Sequence, residues 1–462
     1  MNKNNKIGHY CGIVGIHSID KINIPATLFY PLFSLQHRGQ ESCGIAYHRD
    51  DHIITYKDLG MVDQVLSHYL QAEHPSQVGI GHVRYSTSGG NKLENAQPVT
   101  VECNKGNIAI AHNGNISNAT GLRRELFAEG SIFQSTSDTE LLAHLISKSR
   151  KNNFEEALIE SLLCLEGAFS LVMMHNDSLI AVRDGMGFRP LIMGKKNGLT
   201  VFASESCAFD ILQIDYVREV EPGEIVIVEK DQVRSIRYTE SRKRAQCIFE
   251  LIYFARPDSK VFGYSVHMMR KKMGAHLAEL DSGEKETGEK NKAERIVSPV
   301  PDSGNSAALG YSQSADVDFE VSLTRNHYSG RTFIQPSQVK REFGVRVKLN
   351  PVREAIQGKK VILIDDSLVR GTTSKIIVKL LKEAGASEVH VRLSSPEIKY
   401  PCYYGIDIPT SEELISHKLT PAEIARTIDA DSVKFLPVDC LKKCVENPSD
   451  FCYGCFSGEY PT

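Results

Sequence analysis

The most informative stretch of this sequence reads VILIDDSLVRGTTS and occupies residues 361–374. Its first four residues are apolar, which is typical of a strand buried on both faces of a parallel sheet. Two acidic residues follow, and a loop of small and hydroxyl-bearing residues then leads into a helix. Because ligands of open α/β sheets bind outside the carboxyl ends of the strands, the pattern predicts a ligand site at this point.

The residue types of this stretch suit a sugar phosphate. Backbone N–H groups at a helix N-terminus attract phosphate, and the hydroxyls of Ser367, Thr372 and Thr373 can donate further hydrogen bonds. The carboxylates of Asp365 and Asp366 suit ribose hydroxyls, directly or through Mg²⁺. The simpler alternative is a strand followed by a capped helix, with both Asp side chains as solvated turn residues.

The complete stretch resembles the phosphoribosyl pyrophosphate signature of type I phosphoribosyltransferases. The resemblance implies that Asp365 and Asp366 hold the ribose hydroxyls and a Mg²⁺ ion. It also implies that the following loop binds the 5′-phosphate, with contributions from Ser367, Arg370, Gly371, Thr372 and Thr373.

Two other segments match the same family. The sequence PVPDSG around Ser303 resembles the loop on the pyrophosphate side, where Ser303 would help to hold the metal. The sequences at 328–336 and 345–351 resemble the flap that closes over the substrate. In that flap, Arg331 and Lys348 would neutralise the departing pyrophosphate. Without the resemblance they would equally be ordinary surface cations.

The order of the predicted elements changes near residue 240. Before that point, short apolar runs separated by Gly, Asn and Asp turns predict an α+β sandwich. After it, strands alternate with helices, which predicts a parallel sheet flanked by helices, and the charged run 281–294 predicts a solvated loop. The helices predicted in the first part are Ile24–Gln36, Ser137–Lys148 with Ser137 or Asp138 as its cap, and Phe154–Cys164. The elements predicted in the second part are the strands Arg295–Val300, Val361–Ile364 and Glu388–Leu393 and the helices Val266–Leu280 and Ser374–Glu383.

The first part contains the motif CGIVG, which begins at Cys11. It resembles the start of class II glutamine amidotransferases, which have an N-terminal nucleophile (Ntn) hydrolase fold. The match implies that residues 1–10 are a propeptide whose removal frees the α-amine of Cys11. An α-amine has a pKa of about 8, so it can accept the proton of the thiol on the same residue. The alternative for a single cysteine is a small buried apolar side chain.

The other motifs of the glutamine site are spread over the first part. By the resemblance, Arg84 clamps the glutamine carboxylate, with Thr87 beside it. The Asn113 amide and the Gly114 N–H form an oxyanion hole, and Asp138 receives the substrate ammonium. Two more matching segments, to which we assign structural roles, are LQHRGQE at 35–41 and RDGMGFRPL at 183–191.

In this order, the two halves resemble the glutamine phosphoribosyl pyrophosphate amidotransferases, or amidophosphoribosyltransferases, of the iron–sulfur and propeptide type. The implied division is a propeptide at 1–10, a class II glutamine amidotransferase domain at 11–240, and a type I phosphoribosyltransferase domain with a cysteine cluster at 241–462. The implied reaction releases ammonia from glutamine at Cys11 and transfers it to phosphoribosyl pyrophosphate. Its products are 5-phosphoribosylamine, glutamate and pyrophosphate, in the first step of purine biosynthesis. The resemblance further implies a homotetramer that purine nucleotides inhibit.

Two other functions compete with this interpretation. A different class II amidotransferase, making an amino sugar phosphate or an asparagine, would lack the Asp365–Asp366 signature. A non-enzymatic regulator that binds a sugar phosphate would need no nucleophile such as Cys11. Some positions depart from the family. His9 and Tyr10 precede Cys11 where an acidic residue is common, and Tyr264 and His327 stand where the family usually has Arg.

Four cysteines form the last candidate site. Cys452 and Cys455 have the spacing of metal ligands, and Cys247 and Cys402 could complete four thiolates. Spacing alone leaves open a chance arrangement, a Zn²⁺ site or an iron–sulfur cluster. The residues around these cysteines match the family members that carry a [4Fe-4S] cluster, which implies such a cluster in a structural or oxygen-sensing role.

The composition excludes several other classes of protein. The formal net charge is -3 and no basic block stands out, so we expect no nucleic-acid partner. The first ten residues are polar and do not resemble a secretory signal, and no stretch approaches the roughly 18 apolar residues that cross a membrane. Eleven cysteines, an odd number, suggest thiols in a reducing compartment, so we expect a cytoplasmic protein.

Overall fold

The first half of the chain folds into two packed antiparallel sheets. The computed structural model describes residues 9–86, 92–240, 243–282, 295–326, 345–406 and 408–461. Strands are numbered in chain order. The first sheet contains, in spatial order, β11 (Asp215–Glu219), β9 (Ile192–Lys196), β10 (Leu199–Ala203), β1 (His9–Asn23), β4 (Pro75–Ser86), β2 (Ser42–Arg49) and β3 (His52–Leu59). The second sheet contains β13 (Gln232–Arg237), β12 (Glu224–Glu229), β8 (Ser178–Arg183), β7 (Gly167–His175), β6 (Gly106–Ile116) and β5 (Val99–Cys103).

Alternation along the strands builds the core between the sheets and the cores outside them. In β8, Leu179 and Ala181 pack between the two sheets, whereas Ile180 and Val182 pack on the outer face. Successive side chains of a strand point to opposite faces, so apolar residues throughout the strand require cover on both sides. Helices supply that cover, and burying each such side chain contributes about 1.5–3 kcal/mol.

The three helices predicted in the first half are present, apart from differences at their ends. They are α1 (Ile24–Ser34), α2 (Val62–Leu66), α3 (Ala119–Ala128), α4 (Thr139–Lys148), α5 (Phe154–Leu163) and α6 (Cys207–Asp210). Helix α1 stops before a 3₁₀ turn, Gln36–Arg38. Asp138 stands at the N-cap position of α4 but makes no capping bond, because its carboxylate accepts the N–H of Ile116 at 3.0 Å. Helices α2, α3 and α6 have no counterpart among the predicted helices. In α3 only Leu126 is buried and the apolar repeat is weak.

A four-stranded parallel sheet forms the centre of the second half. Its strands are, in spatial order, β17 (Arg295–Pro299), β20 (Lys360–Asp365), β21 (Glu388–Leu393) and β22 (Ser432–Phe435). The shorter strands of this half are β14 (Gln246–Cys247), β15 (Lys260–Val261), β16 (Tyr264–Ser265), β18 (Leu323–Arg325), β19 (Leu349–Pro351) and β23 (Phe451–Cys452). Its helices are α7 (Val266–Ser282), α8 (Asn305–Ala315), α9 (Arg353–Ile356), α10 (Thr372–Glu383), α11 (Ile415–Lys418), α12 (Pro421–Ile428), α13 (Val438–Cys444) and α14 (Gly454–Ser457).

Both faces of this sheet are covered, as the apolar run in β20 predicts. Ile362 and Ile364 pack with α7 and α8, and Val361 and Leu363 pack with α10 and α12. The fold class is therefore confirmed: antiparallel sheets in the first half and a parallel sheet in the second. None of the helices in the described ranges combines the length and the apolar character needed to cross a bilayer.

The predicted solvated loop at 281–294 is wrong at its first residue. Asp281 belongs to α7, is partly buried, and accepts hydrogen bonds from Arg392 at 2.6 Å and Tyr311 at 2.5 Å. Its carboxylate also lies 2.7 Å from the ammonium of Lys434. A carboxylate with these partners extends the helix to Ser282 and ties it to the sheet. Residues 283–294 lie outside the described residues.

Candidate active sites

Cys11 lies inside strand β1, with its backbone paired to Arg84 of β4. The strand begins at His9, so the preceding residues continue the pairing and the nitrogen of Cys11 is an amide. The side chain is 1% exposed, and burial raises the pKa of the Cys11 thiol to about 12, against the opposing effect of Arg84. In this form of the chain the thiol is therefore neutral near pH 7 and a poor nucleophile.

Arg38 holds the backbone of Cys11 from the other side. Its Nε donates to the carbonyl oxygen of Cys11 at 2.9 Å. Its two terminal nitrogens donate to Glu250 at 3.0 and 2.8 Å, and one of them also donates to Glu205 at 2.5 Å. We assigned segment 35–41 a structural role from the sequence. The geometry adds a direct contact with the candidate nucleophile, for which the matching LQHRGQE motif was the available signal.

The candidate oxyanion hole lies on β6. The Asn113 side chain is buried, and its Nδ2 has no hydrogen-bond acceptor within the described parts of the chain. An unpaired buried amide costs about 1–3 kcal/mol, so a ligand oxygen is a natural partner for it. Gly114 has a φ of +151°, and a Cβ there would lie 2.0 Å from the carbonyl oxygen of Ala168. Only glycine fits at this position.

Asp138 and Arg84 complete the group around Cys11. Asp138 is nearly buried, and one of its oxygens lies 3.6 Å from Nδ1 of His112. Both Asp138 and Arg84 act electrostatically on the Cys11 thiol, which places them in the same site. The structure thus brings together four of the segments predicted for glutamine. Thr87 lies outside the described residues.

The predicted sugar phosphate site lies at the carboxyl end of β20. Asp365 accepts a hydrogen bond from the Ser303 hydroxyl at 3.3 Å and from the backbone N–H of Asp366 at 2.9 Å. Burial and the charge of Asp366 raise the pKa of Asp365 well above its usual range, and burial raises the pKa of Asp366 as well. Two adjacent carboxylates, Asp366 buried and Asp365 half-buried, form an oxygen donor set that suits Mg²⁺.

The loop after this strand leads directly into α10. Gly371 has a φ of +75°, and a Cβ there would meet Ile415 at 2.8 Å, so this turn requires glycine. Thr372 and Thr373 are exposed in the first turn of the helix, where backbone N–H groups are available to an anion. The helix begins two residues before the predicted start at Ser374, which brings both threonines into its N-terminus.

The remaining predicted phosphate-site residues differ in their placement. Arg370 is exposed, and its Nε and Nη2 donate to Glu413 at 3.0 and 2.8 Å. Lys348 is half-buried, and its carbonyl oxygen accepts the N–H of Asn326 at 2.8 Å. Arg331 and His327 lie outside the described residues.

A cavity of about 580 Å³ lies between the two sites. Arg38 and Tyr85 line it on the side of Cys11, and Arg270 and Ser303 line it on the side of the Asp pair. Arg270, which sequence reasoning missed, donates to the carbonyls of Leu251 and Ala255 at 3.0 and 2.8 Å. The cavity therefore adjoins residues that contact each of the two sites.

The four candidate cysteines come from three separate segments. Cys247 and Cys452 are partners in the parallel pair β14–β23, and Cys455 follows on α14. All four interact electrostatically, since burial first and then Cys402, Cys247 and Cys452 raise the pKa of Cys455. The sulfur of Cys402 also accepts the N–H of Tyr404 at 3.4 Å. Within the described residues, no group of three or more His, Cys, Asp or Glu is arranged to hold a metal ion.

The donor set nevertheless fits a larger metal–sulfur group. Four thiols around one point are the ligands of a [4Fe-4S] cluster, which spreads its ligands more widely than one ion does. Arg189 is buried, and its Nε finds no acceptor among the residues the structure describes. Burial acts to lower the pKa of Arg189, but Cys247, Glu250 and Cys402 outweigh it and raise the pKa. The guanidinium that carries the unpaired N–H therefore lies within electrostatic range of Cys247 and Cys402.

The comparisons with known proteins agree for both halves. The family described as "Glutamine amidotransferase domain" matches residues 82–210. The chloroplastic amidophosphoribosyltransferase of Vigna aconitifolia is 47% identical over 463 residues, covering 100% of this chain and 93% of that protein. The amidophosphoribosyltransferase of Bacillus subtilis is 44% identical, over 98% of this chain and 94% of that protein. The solved glutamine phosphoribosylpyrophosphate amidotransferase from B. subtilis, complexed with ADP and GMP, superposes with a TM-score of 0.89 at 43% identity, covering 98% of this chain and 97% of that one.

Proposed function

The chain belongs to the amidophosphoribosyltransferase family, and we propose that its two sites carry out the two halves of one reaction. Glutamine is hydrolysed at Cys11, and the ammonia is transferred to phosphoribosyl pyrophosphate at Asp365 and Asp366. The observation that carries this proposal is the shared cavity, which is lined by Arg38, a contact of Cys11, and by Ser303, a contact of Asp365. It also argues against the two alternatives, because neither a different amidotransferase nor a regulator needs both sites on one cavity.

The glutamine half-reaction begins once residues 1–10 are removed. The freed α-amine of Cys11 accepts the thiol proton, and the sulfur attacks the side-chain carbonyl carbon of glutamine. The oxyanion that forms accepts hydrogen bonds from Asn113 Nδ2 and the Gly114 N–H. The amine returns its proton to the leaving ammonia, and water then hydrolyses the thioester to glutamate. Arg38 keeps the backbone of Cys11 in position throughout, through its bond to the carbonyl oxygen.

Arg84 and Asp138 give this site its preference for glutamine. Both lie beside the Cys11 thiol, and their charges are opposite to those of the substrate's carboxylate and ammonium groups. Thr87 is a further proposed contact of the substrate.

In the second half-reaction, ammonia attacks C1 of the ribose while pyrophosphate leaves. The hydroxyls of Ser367, Thr372 and Thr373 and the N-terminus of α10 hold the 5′-phosphate. Arg370 contacts the phosphate by exchanging its hydrogen bonds to Glu413 for hydrogen bonds to the phosphate oxygens. The flap residues proposed to neutralise the leaving pyrophosphate are Arg331 and Lys348.

Mg²⁺ would be held by Asp365, Asp366 and Ser303, and it would supply positive charge to the departing pyrophosphate. The raised pKa values of the two carboxyls support this assignment, because they mark a pair that lacks its own counter-cation. Arg270 is the nearby cation that acts on Asp366, and its guanidinium is already bound to two backbone carbonyls.

A [4Fe-4S] cluster would be held by Cys247, Cys402, Cys452 and Cys455, where it would cross-link segments distant in the sequence. An absorbance spectrum with iron and sulfide analysis of protein purified without oxygen tests this assignment. Zinc at the four thiols, or no metal, would contradict it.

The related B. subtilis structure is complexed with ADP and GMP, and we propose purine nucleotides as inhibitors of this chain as well. The homotetramer and the cytoplasmic location also stay proposals. Light scattering of the purified protein tests the first of these, and added GMP or ADP should lower the rate of product formation.

The decisive experiment follows glutamate and pyrophosphate release by the processed chain. Glutamate release should rise when phosphoribosyl pyrophosphate and Mg²⁺ are added, and pyrophosphate should appear in equal amount. A chain that retains residues 1–10 serves as the matched control and should use ammonia but not glutamine. The proposal fails if the sugar phosphate is not consumed with either nitrogen source.

A further inference from the structure

A short loop joins the cysteine site to the oxyanion hole. We call residues 402–406, which begin with Cys402, the cysteine loop. The carbonyl oxygen of Tyr403 accepts the Nδ2–H of Asn115 at 2.9 Å. Gly405, with a φ of +93°, lies so close to Gly114 that a Cβ on it would be 3.2 Å from the Gly114 carbonyl carbon. The loop that presents one thiol therefore also supports the strand that carries the oxyanion donors.

Arg189 connects this loop with the buried charges behind Cys11. Its Nη2 donates to the carbonyl oxygen of Tyr404 at 2.8 Å, and its Nη1 donates to Glu250 at 3.0 Å. A Cβ on Gly405 would lie 3.0 Å from Nη2, so the loop backbone presses against the guanidinium. The third nitrogen, Nε, is buried and lacks an acceptor in the described part of the chain, and Cys247 and Cys402 act electrostatically on the guanidinium.

Glu250 connects Arg189 to Arg38, which contacts the proposed nucleophile. It is completely buried, and both of its oxygens accept hydrogen bonds from Arg38. Arg38 in turn holds the carbonyl oxygen of Cys11. Every step in this series is a direct hydrogen bond between buried groups, so a shift of Arg189 is transmitted rather than absorbed by solvent.

We propose that Arg189 is a positioning residue for the glutamine half-reaction and that the four-thiol site acts on Cys11 through it. The inference rests on the proposed function and on a metal–sulfur group at the four thiols, whose sulfur atoms would accept the Nε–H. Loss of that group frees the cysteine loop and loosens Arg189, Glu250 and Arg38. Phosphoribosyl transfer from free ammonia is spared, because none of these contacts involves Asp365 or Asp366.

The first test compares Arg189→Lys with Arg392→Lys in the processed, metal-loaded chain. Arg392 is also mostly buried and paired with an acid, but its side chain bonds to Asp281 of α7 and to Ser432 of β22. Arg189→Lys should lower kcat for glutamine about tenfold and leave the KM for glutamine and the ammonia-dependent rate within about twofold. Alkylation of Cys11 by iodoacetamide should slow to the same extent. Arg392→Lys should change neither the ratio of the glutamine-dependent to the ammonia-dependent rate nor the rate of Cys11 alkylation.

The second test needs no variant. Iron is removed in steps from the unaltered processed chain with a chelator, and the glutamine-dependent and ammonia-dependent rates are followed with the visible absorbance. The glutamine-dependent rate should fall in proportion to the visible absorbance, whereas the ammonia-dependent rate should fall later. Arg189→Lys should also lose its absorbance faster under the same chelator, because the sulfur atoms lose a donor.

Parallel loss of both rates in either test would overturn the inference, and so would an unchanged glutamine-to-ammonia ratio in Arg189→Lys. Failure of the proposed function is distinguishable, since the unaltered chain would then release no pyrophosphate even with ammonia.

Discussion

The molecule has two sets of carboxylates that are buried or partly buried, and their charges are balanced in opposite ways. Glu205 and Glu250 are completely buried and share the guanidinium of Arg38. Burial would raise the pKa of Glu205, but His37 and Arg38 hold it well below its usual range. Asp365 and Asp366 lie side by side, and their pKa values are raised. The first set has its counter-charges within the protein, whereas we propose that the second set binds a cation that arrives with the substrate.

The comparison explains why the two sites respond differently to a missing partner. Within the described residues, the Arg38 and Asp138 side chains of the glutamine site already have hydrogen-bond partners, whereas Nδ2 of Asn113 has none. The sugar phosphate site exposes its threonines and leaves its carboxylates short of positive charge. Ligand binding therefore orders the second site more than the first.

The largest expected effect comes from replacing Cys11, the proposed nucleophile of the glutamine site. Cys11→Ala in the processed chain should lower glutamine-dependent product formation by at least about ten-thousandfold, because no other group can form the thioester. The ammonia-dependent rate should remain within about threefold, since the phosphoribosyl site keeps all its residues. The measurement is pyrophosphate release with each nitrogen source. Cys43→Ala removes an equally buried thiol from the same sheet and serves as the control. Glutamine use that survives in Cys11→Ala would mean that the nucleophile lies elsewhere.

The second effect is on stability and comes from removing one charge from the buried group that includes Glu250 and Arg38. Glu250→Gln removes the charge shared by Arg38 and Arg189, both of which stay buried. Breaking a buried pair in this way costs about 3–5 kcal/mol in the free energy of unfolding. Urea unfolding at neutral pH measures it. Glu388→Gln disrupts a partly exposed pair with Lys360 and should cost no more than about 1 kcal/mol. Similar costs for the two variants would remove the distinction drawn between the two sets.

Local patterns in the sequence carried most of the fold and part of each site. The apolar run at 361–364 predicted a doubly covered strand because four neighbouring residues carry that signal. The Arg38–Glu250 contact joins positions 212 residues apart, and no periodicity or spacing marks such a pair. Asp138 shows the same limit at short range. Its place before α4 predicted a cap, but tertiary contact with Ile116 takes its carboxylate instead.

The third effect is on activity and concerns the Asp365–Asp366 pair. Asp365→Asn should lower product formation at least about a hundredfold with either nitrogen source, because a carboxylate that positions the metal is lost. Glutamate release in the absence of the sugar phosphate should stay unchanged. Asp429→Asn is the matched control, since Asp429 has a φ of +62° that asparagine tolerates and lies at the C-terminus of α12. A loss confined to the glutamine-dependent rate would show that Asp365 does not serve phosphoribosyl transfer.

The smallest effect is on the pH dependence of stability, and it separates the two sets by sign. Asp365 has a raised pKa in the folded chain, so the folded state binds its proton more tightly than the unfolded state does. Its contribution to stability is greatest below the ordinary Asp pKa of about 4 and falls as the pH rises. Asp365→Asn should therefore gain in melting temperature over the unaltered chain as the pH rises without Mg²⁺. Adding Mg²⁺ and phosphoribosyl pyrophosphate should stabilise only the unaltered chain and reverse the difference.

Glu205→Gln should show the opposite dependence. The pKa of Glu205 is lowered in the folded chain, so its contribution is present above the ordinary Glu pKa of about 4 and disappears as the pH falls below it. The variant should melt below the unaltered chain at neutral pH, and the gap should narrow in acid. Thermal melts of both variants across the same pH series measure the two slopes. If the melting-temperature differences of the two variants changed with pH in the same direction, the two sets of carboxylates would be balanced alike. The proposed need for a cation at Asp365 and Asp366 would then lose its physical basis.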